Sequence, residues 1–598
     1  MKKKIYSIKK IGLISLMGLM GMTQTGCSDF LEIEPLNEII FDKFWTEKAD
    51  VDAIIAGCYS AMQDENVIKR MMVWGEFRSD NIGIGKNIDR DASLEKVLKE
   101  NIDAKNNYTK WEHFYNIINR CNTVIKYAPD VAAKDPAYTQ SELHANIAEM
   151  VGLRSLCYFY LIRAFRDVPY VTQPYTDDDQ EMEIAATKFD DVLDSLIVSL
   201  EGVKDQAVKR YPTTTPLYQT GRISQDAIYA MLCEFYLWKK DYQNCIKYAD
   251  LVIASKKLIA EENRLASKST TSTTSSSSQE ERFNGFPLLS DYISSGYYGE
   301  AYEKLFGYDD YAKEYNQEII FQLVFSDTPY SSSMPSNNAV GTFYGNGTDQ
   351  IGLVAPSDPL LEEVTTNLES FSSRVIFSPS NKLVDSRLYE NCNVDNKSIH
   401  KFTTRTITIN ATQTSKVTIS YASLYSNNDI GSNWVIYRLT DIMLMKAEAL
   451  TQQLREGSDQ ETIDFNTPIL DQAFALVNAV NKRSVCEQQL IDTLVRADYG
   501  TKSQMETLVF QERQRELMFE GKRWFDLVRL CQRNGNTQAL SEAALRKVTT
   551  GGSIIANKLL KMDAIYWPYN YEEIKVNSKL VQNPAFSSGE NDSYAKNY

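Results

Sequence analysis

The stretch "ERQRELMFEGKRWFDLVRL", Glu512–Leu530, sets five arginines and lysines and four carboxylates among bulky apolar side chains. Residues of these types at this spacing have two uses. A pair of carboxylates can act as acid and base across a glycosidic bond. The same charges can instead bridge helix surfaces. Glu512 and Arg515 are i, i+3, and Glu516 lies three residues after Arg513. Leu517, Gly521, Trp524, Phe525 and Val528 fall at helical spacing and make one apolar stripe. That stripe favours a scaffold helix over a catalytic one. Gly521 inside it would cost about 1 kcal/mol against alanine, a cost that close approach of a neighbouring backbone offsets.

A second kind of chemistry is written in the loops. "MMVWGEFRSDNIGIG" holds Trp74, Arg78, Asp80 and Asn81 among glycines, "SSGYYGE" holds Tyr297 and Tyr298, and "GTFYGNG" holds Phe343, Tyr344 and Asn346. Sugars present apolar C–H faces and hydroxyl rims. Aromatic platforms flanked by amides, carboxylates and arginines suit both. The expected ligand-binding set is therefore Trp74, Arg78, Asp80, Asn81, Tyr297, Tyr298 and Tyr344. The competing use of each ring is to pack its loop onto a helix. With 35 tyrosines, 24 phenylalanines and 7 tryptophans, the chain has rings enough for both. The three histidines, His113, His144 and His400, lack metal-ligand spacing. H-E-x-x-H, G-x-S-x-G and phosphate-binding glycine loops are absent. No catalytic residue, metal or cofactor is assigned, and the chain is expected not to be an enzyme. A surface glycoside hydrolase is the alternative that its 79 carboxylates leave open.

The elements that must position these residues read as mostly helical across 598 residues. "MKKKIYSIKK" followed by "IGLISLMGLMGM" is a charged and then apolar targeting segment, too short to span a bilayer well. It ends at Gly26-Cys27, like a bacterial lipobox, so residues 1–26 are read as a signal peptide and Cys27 as lipidated. Residues 1–26 contain five lysines and no acid, so the remaining body carries −20 against −15 for the whole chain. Such an acidic exported body argues against nucleic-acid partners, and leaves membrane attachment to the lipid alone. The other eight cysteines form no C-x-x-C pair and read as buried thiols. "FWTEKADVDAIIAGCYSAM" starts a helix with Thr46 as its cap. "ELHANIAEMVGLRSLCYFYLIRAF" is a long helix stopped at Pro169. "SQDAIYAMLCEFYLWKKDYQNCIKYADLVIAS" is a helix, a turn at "KKDY" and a second helix, as in a tetratricopeptide unit. "WVIYRLTDIMLMKAEAL" and "PILDQAFALVNAVNKRSV" make another pair. Leu265–Glu281 is Ser/Thr-rich and reads as a flexible loop. "QEIIFQLVF" reads as a strand, and "TRTITINATQTSKVTISYASLY" as a β-hairpin.

In this setting the opening stretch resembles the C-terminal signature of the SusD/RagB family of outer-membrane nutrient-binding lipoproteins. "GCSDFLEIEP", "FWTEKADVDAIIAGCYSAM", "GLRSLCYFYLIRAFRDVPYV", "GRISQDAIYAMLCEFYLWKKDY", "YRLTDIMLMKAEAL" and "IYWPYNYEEIKVNSKLVQNPAF" resemble family blocks in the right order. The resemblance implies a mostly α, SusD-like fold with four tetratricopeptide-like helix pairs and an irregular lobe with short strands. It divides the chain into a signal peptide (1–26), an N-terminal helical region (27–260), the loop at 265–281 and a C-terminal region (282–598). It further implies an outer-membrane lipoprotein facing the cell exterior, with Asp29, Glu32 and Glu34 after Cys27 fitting an export signal. Its implied partners are an oligosaccharide and a SusC-like TonB-dependent transporter. Family members linked to peptide uptake keep a peptide ligand as the alternative.

Overall fold

A computed structural model describes residues 44–587 apart from 178, 269–282, 308–316, 327–333, 346–351, 362, 366–371, 375, 378–384, 414–415, 425–429, 487–493 and 548–551. The chain divides into units 1–44 and 45–598, and the second carries the elements that follow. The signal peptide, Cys27 and Asn346 lie outside the described residues.

Helix α1 (Lys48–Met62) begins where Asp50 Oδ2 accepts the Thr46 hydroxyl at 2.8 Å and the Thr46 and Glu47 N–H groups at 3.0 Å each. The cap is thus Glu47, one residue later than expected, because the acceptor comes from the first turn. After α2 (Glu65–Met72) the chain passes through a π turn at Val73–Phe77. Helices α3 (Glu112–Lys134) and α4 (Gln140–Phe165) follow, α4 opened by a Thr139–Glu142 capping box. It stops at Arg166, at φ 69°, before Pro169 is reached. Next come α5 (Phe189–Val203), α6 (Gln225–Lys239) and α7 (Tyr242–Lys268). The turn between α6 and α7 is made by Lys240 in the left-handed region, at φ 66°. Leu265–Lys268, expected in the flexible loop, are the last turn of α7, and the rest of that stretch lies outside the described residues.

The C-terminal helices include α8 (Leu439–Gln452), α9 (Gln460–Ser484), α10 (Lys502–Leu517), α11 (Arg523–Asn534) and α12 (Gln538–Lys547). Helix α9 starts well before Pro468, because Asp459 accepts the Thr462 N–H at 3.0 Å and caps it. Among the described residues, α3/α4, α6/α7, α8/α9 and α10/α11 are four helix pairs joined by short connections. One apolar core joins α7 to α10: Ile253 of α7, Met443 and Ala447 of α8, Leu476 and Val480 of α9, and Leu508 of α10. Burial at this scale is the main stabilising term of such a stack.

The strands include β1 (Ile82–Ile84), β2 (Tyr292–Ser294), β3 (Tyr297–Tyr298), β4 (Ile319–Leu323), β5 (Val354–Pro356), β6 (Thr404–Gln413), β7 (Lys416–Leu424) and β8 (Trp434–Arg438), besides two short pairs, Glu363–Thr365 with Ser372–Arg374 and Cys392–Asn393 with Ser398–Ile399. They form a four-stranded antiparallel sheet, β7-β6-β3-β2, and two-stranded pairs β1-β5 and β8-β4. Trp434–Arg438 was expected to open a helix. Its Trp-Val-Ile-Tyr run suits a pleated surface better, and it pairs with β4 at Trp434 to Leu323.

The Glu512–Leu530 stretch is not one helix. Helix α10 ends at Leu517, Phe519 and Gly521 take φ 68° and 72°, and α11 restarts at Arg523. Gly521 therefore sits in the turn. The close approach expected of it is real: a Cβ on Gly521 would stand 3.0 Å from the Met71 carbonyl oxygen. On the facing π turn, a Cβ on Gly75 would stand 2.0 Å from the Gly521 carbonyl oxygen. Gly75→Ala is expected to cost about 1–3 kcal/mol or more, since a backbone must move. Chemical denaturation measures this, and an unchanged midpoint would mean the two turns are not held at this distance.

Candidate functional site

The charges of the opening stretch are buried rather than solvated. Glu516, fully enclosed on α10, accepts from Arg387 Nη1 at 3.1 Å, from Arg438 Nη1 at 2.5 Å and from Arg483. Glu512 accepts from Arg387 Nη1 at 2.7 Å and from Arg515 Nη2 at 2.6 Å. Glu520 accepts from Arg438 Nη2 at 2.7 Å and pairs with Lys401 at 2.5 Å. The Glu512–Arg515 pair is present as expected. Arg513 instead joins Asp526 and Asp441, at 2.9 Å each. Burial pushes the Glu516 carboxyl up, but Arg483, Arg438 and Arg387 bring it well below the ordinary range. This network fastens α10 to β8, α9 and the Ser386–Asn391 helix; it is scaffold.

The loop residues expected to bind ligand divide sharply. Trp74 is fully buried, donates from Nε1 to the Tyr108 carbonyl at 2.8 Å, and packs on Phe114 and Phe165 with centroids 5.0 and 5.2 Å away. Arg78 is buried over the Trp524 ring at 4.2 Å. It donates to Glu100, and to the Ala564 and Ile565 carbonyls at 2.8 and 2.9 Å. Asp80 accepts from Arg523 Nε at 2.8 Å and Arg546 Nη2 at 3.2 Å. Asn81, wholly enclosed, donates to Glu76 Oε1 and accepts from Gln514 Nε2, both at 2.8 Å. Glu76 in turn accepts the N–H groups of Phe519, Lys522 and Arg523. That carboxylate is what turns the chain between α10 and α11 and caps α11. The two stretches that looked like separate sites are thus two halves of one clasp.

Tyr344 is buried too, its hydroxyl donating to the Phe519 carbonyl at 3.0 Å. Phe343 is enclosed beside Phe77, with centroids 4.9 Å apart. Tyr298 points inward with Ile407, Ile409 and Cys486. Its neighbour Tyr297, on the opposite face of β3 as strand alternation requires, is 37% exposed. Of the expected set, it is the ring whose face reaches solvent, beside the exposed Ile293.

The Tyr297 hairpin is anchored by residues the sequence did not single out. The Asp291 carbonyl accepts the Gly299 N–H at 2.9 Å, and its Oδ1 accepts the Ala301 N–H at 3.3 Å. Asp291 also meets the buried carboxyl of Glu390, whose other oxygen accepts from Ser386 Oγ at 3.1 Å. Two carboxyls share a hydrogen bond only if one keeps its proton. Burial, then the neighbouring Asp291 charge, raise the Glu390 carboxyl well above the ordinary range. The folded state therefore binds more protons than the unfolded one above about pH 4.3, the unperturbed glutamate value. Stability from this pair is full below that pH and declines as pH rises through the folded value. Glu390→Gln, whose amide can donate to Asp291 without a proton, is expected to flatten that decline. Denaturation midpoints at pH 4.5 and 8 check it; parallel curves for both proteins would show that no proton is shared.

These features define a mostly helical scaffold with tetratricopeptide-like pairs and an exposed aromatic hairpin. Residues 317–586 match the SusD family model, and residues 29–237 match a model described as starch-binding associating with outer membrane. The chain is 26% identical to SusD-like protein P38 of Formosa agariphila over 98% of this chain and 99% of that protein. It is 23% identical to SusD-like protein P2 of the same organism over 85% and 88%. A SusD superfamily crystal structure from Bacteroides thetaiotaomicron shares the fold at TM-score 0.58 and 19% identity, covering 91% of this chain and 99% of that one. A laminarin binding SusD-like protein aligns at TM-score 0.51 and 19% identity, covering 90% and 99%. The chain belongs to the SusD family. Among the described residues, no helix is long and apolar enough to cross a membrane.

Proposed function

We propose that the protein captures an oligosaccharide at the cell surface and passes it to a SusC-like TonB-dependent transporter. The observation that carries this reading is Tyr297, an exposed ring on a hairpin pinned by Asp291 beside the buried Glu390 carboxyl. A rigid aromatic face costs little entropy to present, and it suits the C–H face of a sugar. The family's outer-membrane description and the laminarin-binding neighbour support the same ligand class. Attachment is through lipid on Cys27, and the protein acts by binding without catalysis. In titrations with a panel of oligosaccharides, Tyr297→Ala is expected to weaken binding by about 2 kcal/mol or more, as central aromatic contacts do. Cys27→Ala is expected to move the protein out of the membrane fraction. Peptide binding in place of any saccharide, or release of new reducing ends, would overturn the reading.

A further inference from the structure

A cleft of about 710 Å³ lies away from the Tyr297 hairpin, and none of its lining residues belongs to the four-stranded sheet. Three helices each turn one face into it. Helix α10 contributes Phe510 and Gln514 at i, i+4, α11 contributes Arg523 and Leu527 at i, i+4, and α12 contributes Glu542 and Arg546 at i, i+4. Helical faces meeting at a junction are normally apolar and closed. This one is partly open, its lining mixes polar and apolar surface, and its volume falls in the range of small-molecule sites.

The chemistry of the walls narrows the ligand. Tyr499, half-buried and packed on Phe474 with centroids 6.1 Å apart, and Phe510 supply apolar surface. Gln511 is exposed on the wall, and its amide offers a donor and an acceptor. The charged lining is balanced, with Asp80, Glu506 and Glu542 against Arg515, Arg523 and Arg546. Most of these charges are already matched. Asp80 holds Arg523 and Arg546, Arg515 is held by Glu512 at 2.6 Å, and Glu506 by Arg533 at 2.8 Å. An anionic ligand would find Arg515 and Arg523 already matched, would have to compete with Asp80 for the half-exposed Arg546, and would face Glu542. A polyhydroxylated neutral ligand needs only hydrogen bonds and an apolar face, which the walls offer together.

We infer that this cleft is a second saccharide subsite, separate from the Tyr297 hairpin and selective for uncharged sugar units. The inference rests on the saccharide reading proposed for the protein.

The test is calorimetric titration of the full chain in detergent with neutral β-glucan hexasaccharides and with a hexa-uronate. Gln511→Trp fills the cleft from an exposed position, so folding should be unaffected, as a melting curve checks. Gln511→Ala is the milder companion variant. The expected result is a neutral-glucan binding event that survives Tyr297→Ala and weakens at least tenfold in Gln511→Trp. Binding lost in Tyr297→Ala and untouched in Gln511→Trp would overturn the second subsite while leaving the proposed function standing. Preference for the hexa-uronate in the cleft would overturn the neutral class. Absence of binding to any saccharide by the unaltered protein would overturn both.

Discussion

Trp74→Ala is expected to remove about 3–5 kcal/mol of unfolding free energy and to leave saccharide affinity unchanged. The ring has no exposed surface and lies against Phe114 and Phe165. Truncation forfeits its transfer free energy and leaves a void that the flanking helices α3 and α4 cannot close without moving. It also strips the Tyr108 carbonyl of the indole N–H that reaches it at 2.8 Å. Trp74→Phe separates the two contributions. It keeps most of the packing and loses the hydrogen bond, at a cost of about 1–3 kcal/mol for a buried acceptor left unpaired. Urea denaturation followed by circular dichroism gives both values, and titration with the best oligosaccharide of the panel gives affinity. A large affinity loss in Trp74→Ala with an unmoved midpoint would put the ring in the binding site and contradict its burial.

That outcome reverses the simplest reading of "MMVWGEFRSDNIGIG", and the reason is instructive. A loop's composition states which side chains are available, but not which way they point. Trp74, Arg78, Asp80 and Asn81 have the chemistry of a sugar site and spend it on Tyr108, Glu100, Arg523 and Gln514. Those partners are up to several hundred positions away, and local spacing carries no trace of them. Tyr297 and Tyr298 differ only in strand parity, and parity follows from register with β6, which is a tertiary fact.

Elements with local causes were far more legible. The α6/α7 pair is marked by its periodicity and by the turn at "KKDY". The hairpin β6-β7 and the strand β4 are marked by alternation and β-branched residues. The break between α10 and α11 was hidden because its cause is remote. The carboxylate of Glu76 takes the N–H groups of Phe519, Lys522 and Arg523, and the backbone of Gly75 presses on Gly521. Without those contacts the apolar stripe from Leu517 to Val528 reads as continuous helix. The ion network was hidden for the same reason, since Arg387, Arg438 and Arg483 each look in sequence like ordinary surface charge.

Glu516→Ala is expected to be among the most damaging single changes in the chain, costing about 3–5 kcal/mol. Its carboxylate is the shared acceptor of Arg387, Arg438 and Arg483, all of them buried. Each arginine keeps another acid: Asp385 and Glu512 for Arg387, Glu520 for Arg438, Glu318 for Arg483. None loses every partner, yet three guanidiniums are left close together with one negative charge fewer among them. Desolvating those cations was compensated only by the full set of acids, so the loss exceeds that of any one hydrogen bond. Glu516→Gln retains an oxygen acceptor and the shape, and is expected to lose less. The pH dependence separates charge from shape. The Glu516 carboxyl titrates well below the ordinary range when folded, so its contribution is complete above about pH 4.3, the unfolded value, and fades as pH falls toward the folded one. Glu516→Gln has no such charge to lose. Its deficit against the unaltered protein should be largest near neutrality and shrink below about pH 4. Arg483→Met made alone and with Glu516→Gln completes a double-mutant cycle, for which groups in direct contact give coupling of about 0.5–3 kcal/mol. A deficit independent of pH, together with additive single effects, would mean that shape rather than charge ties α10 to β8 and α9.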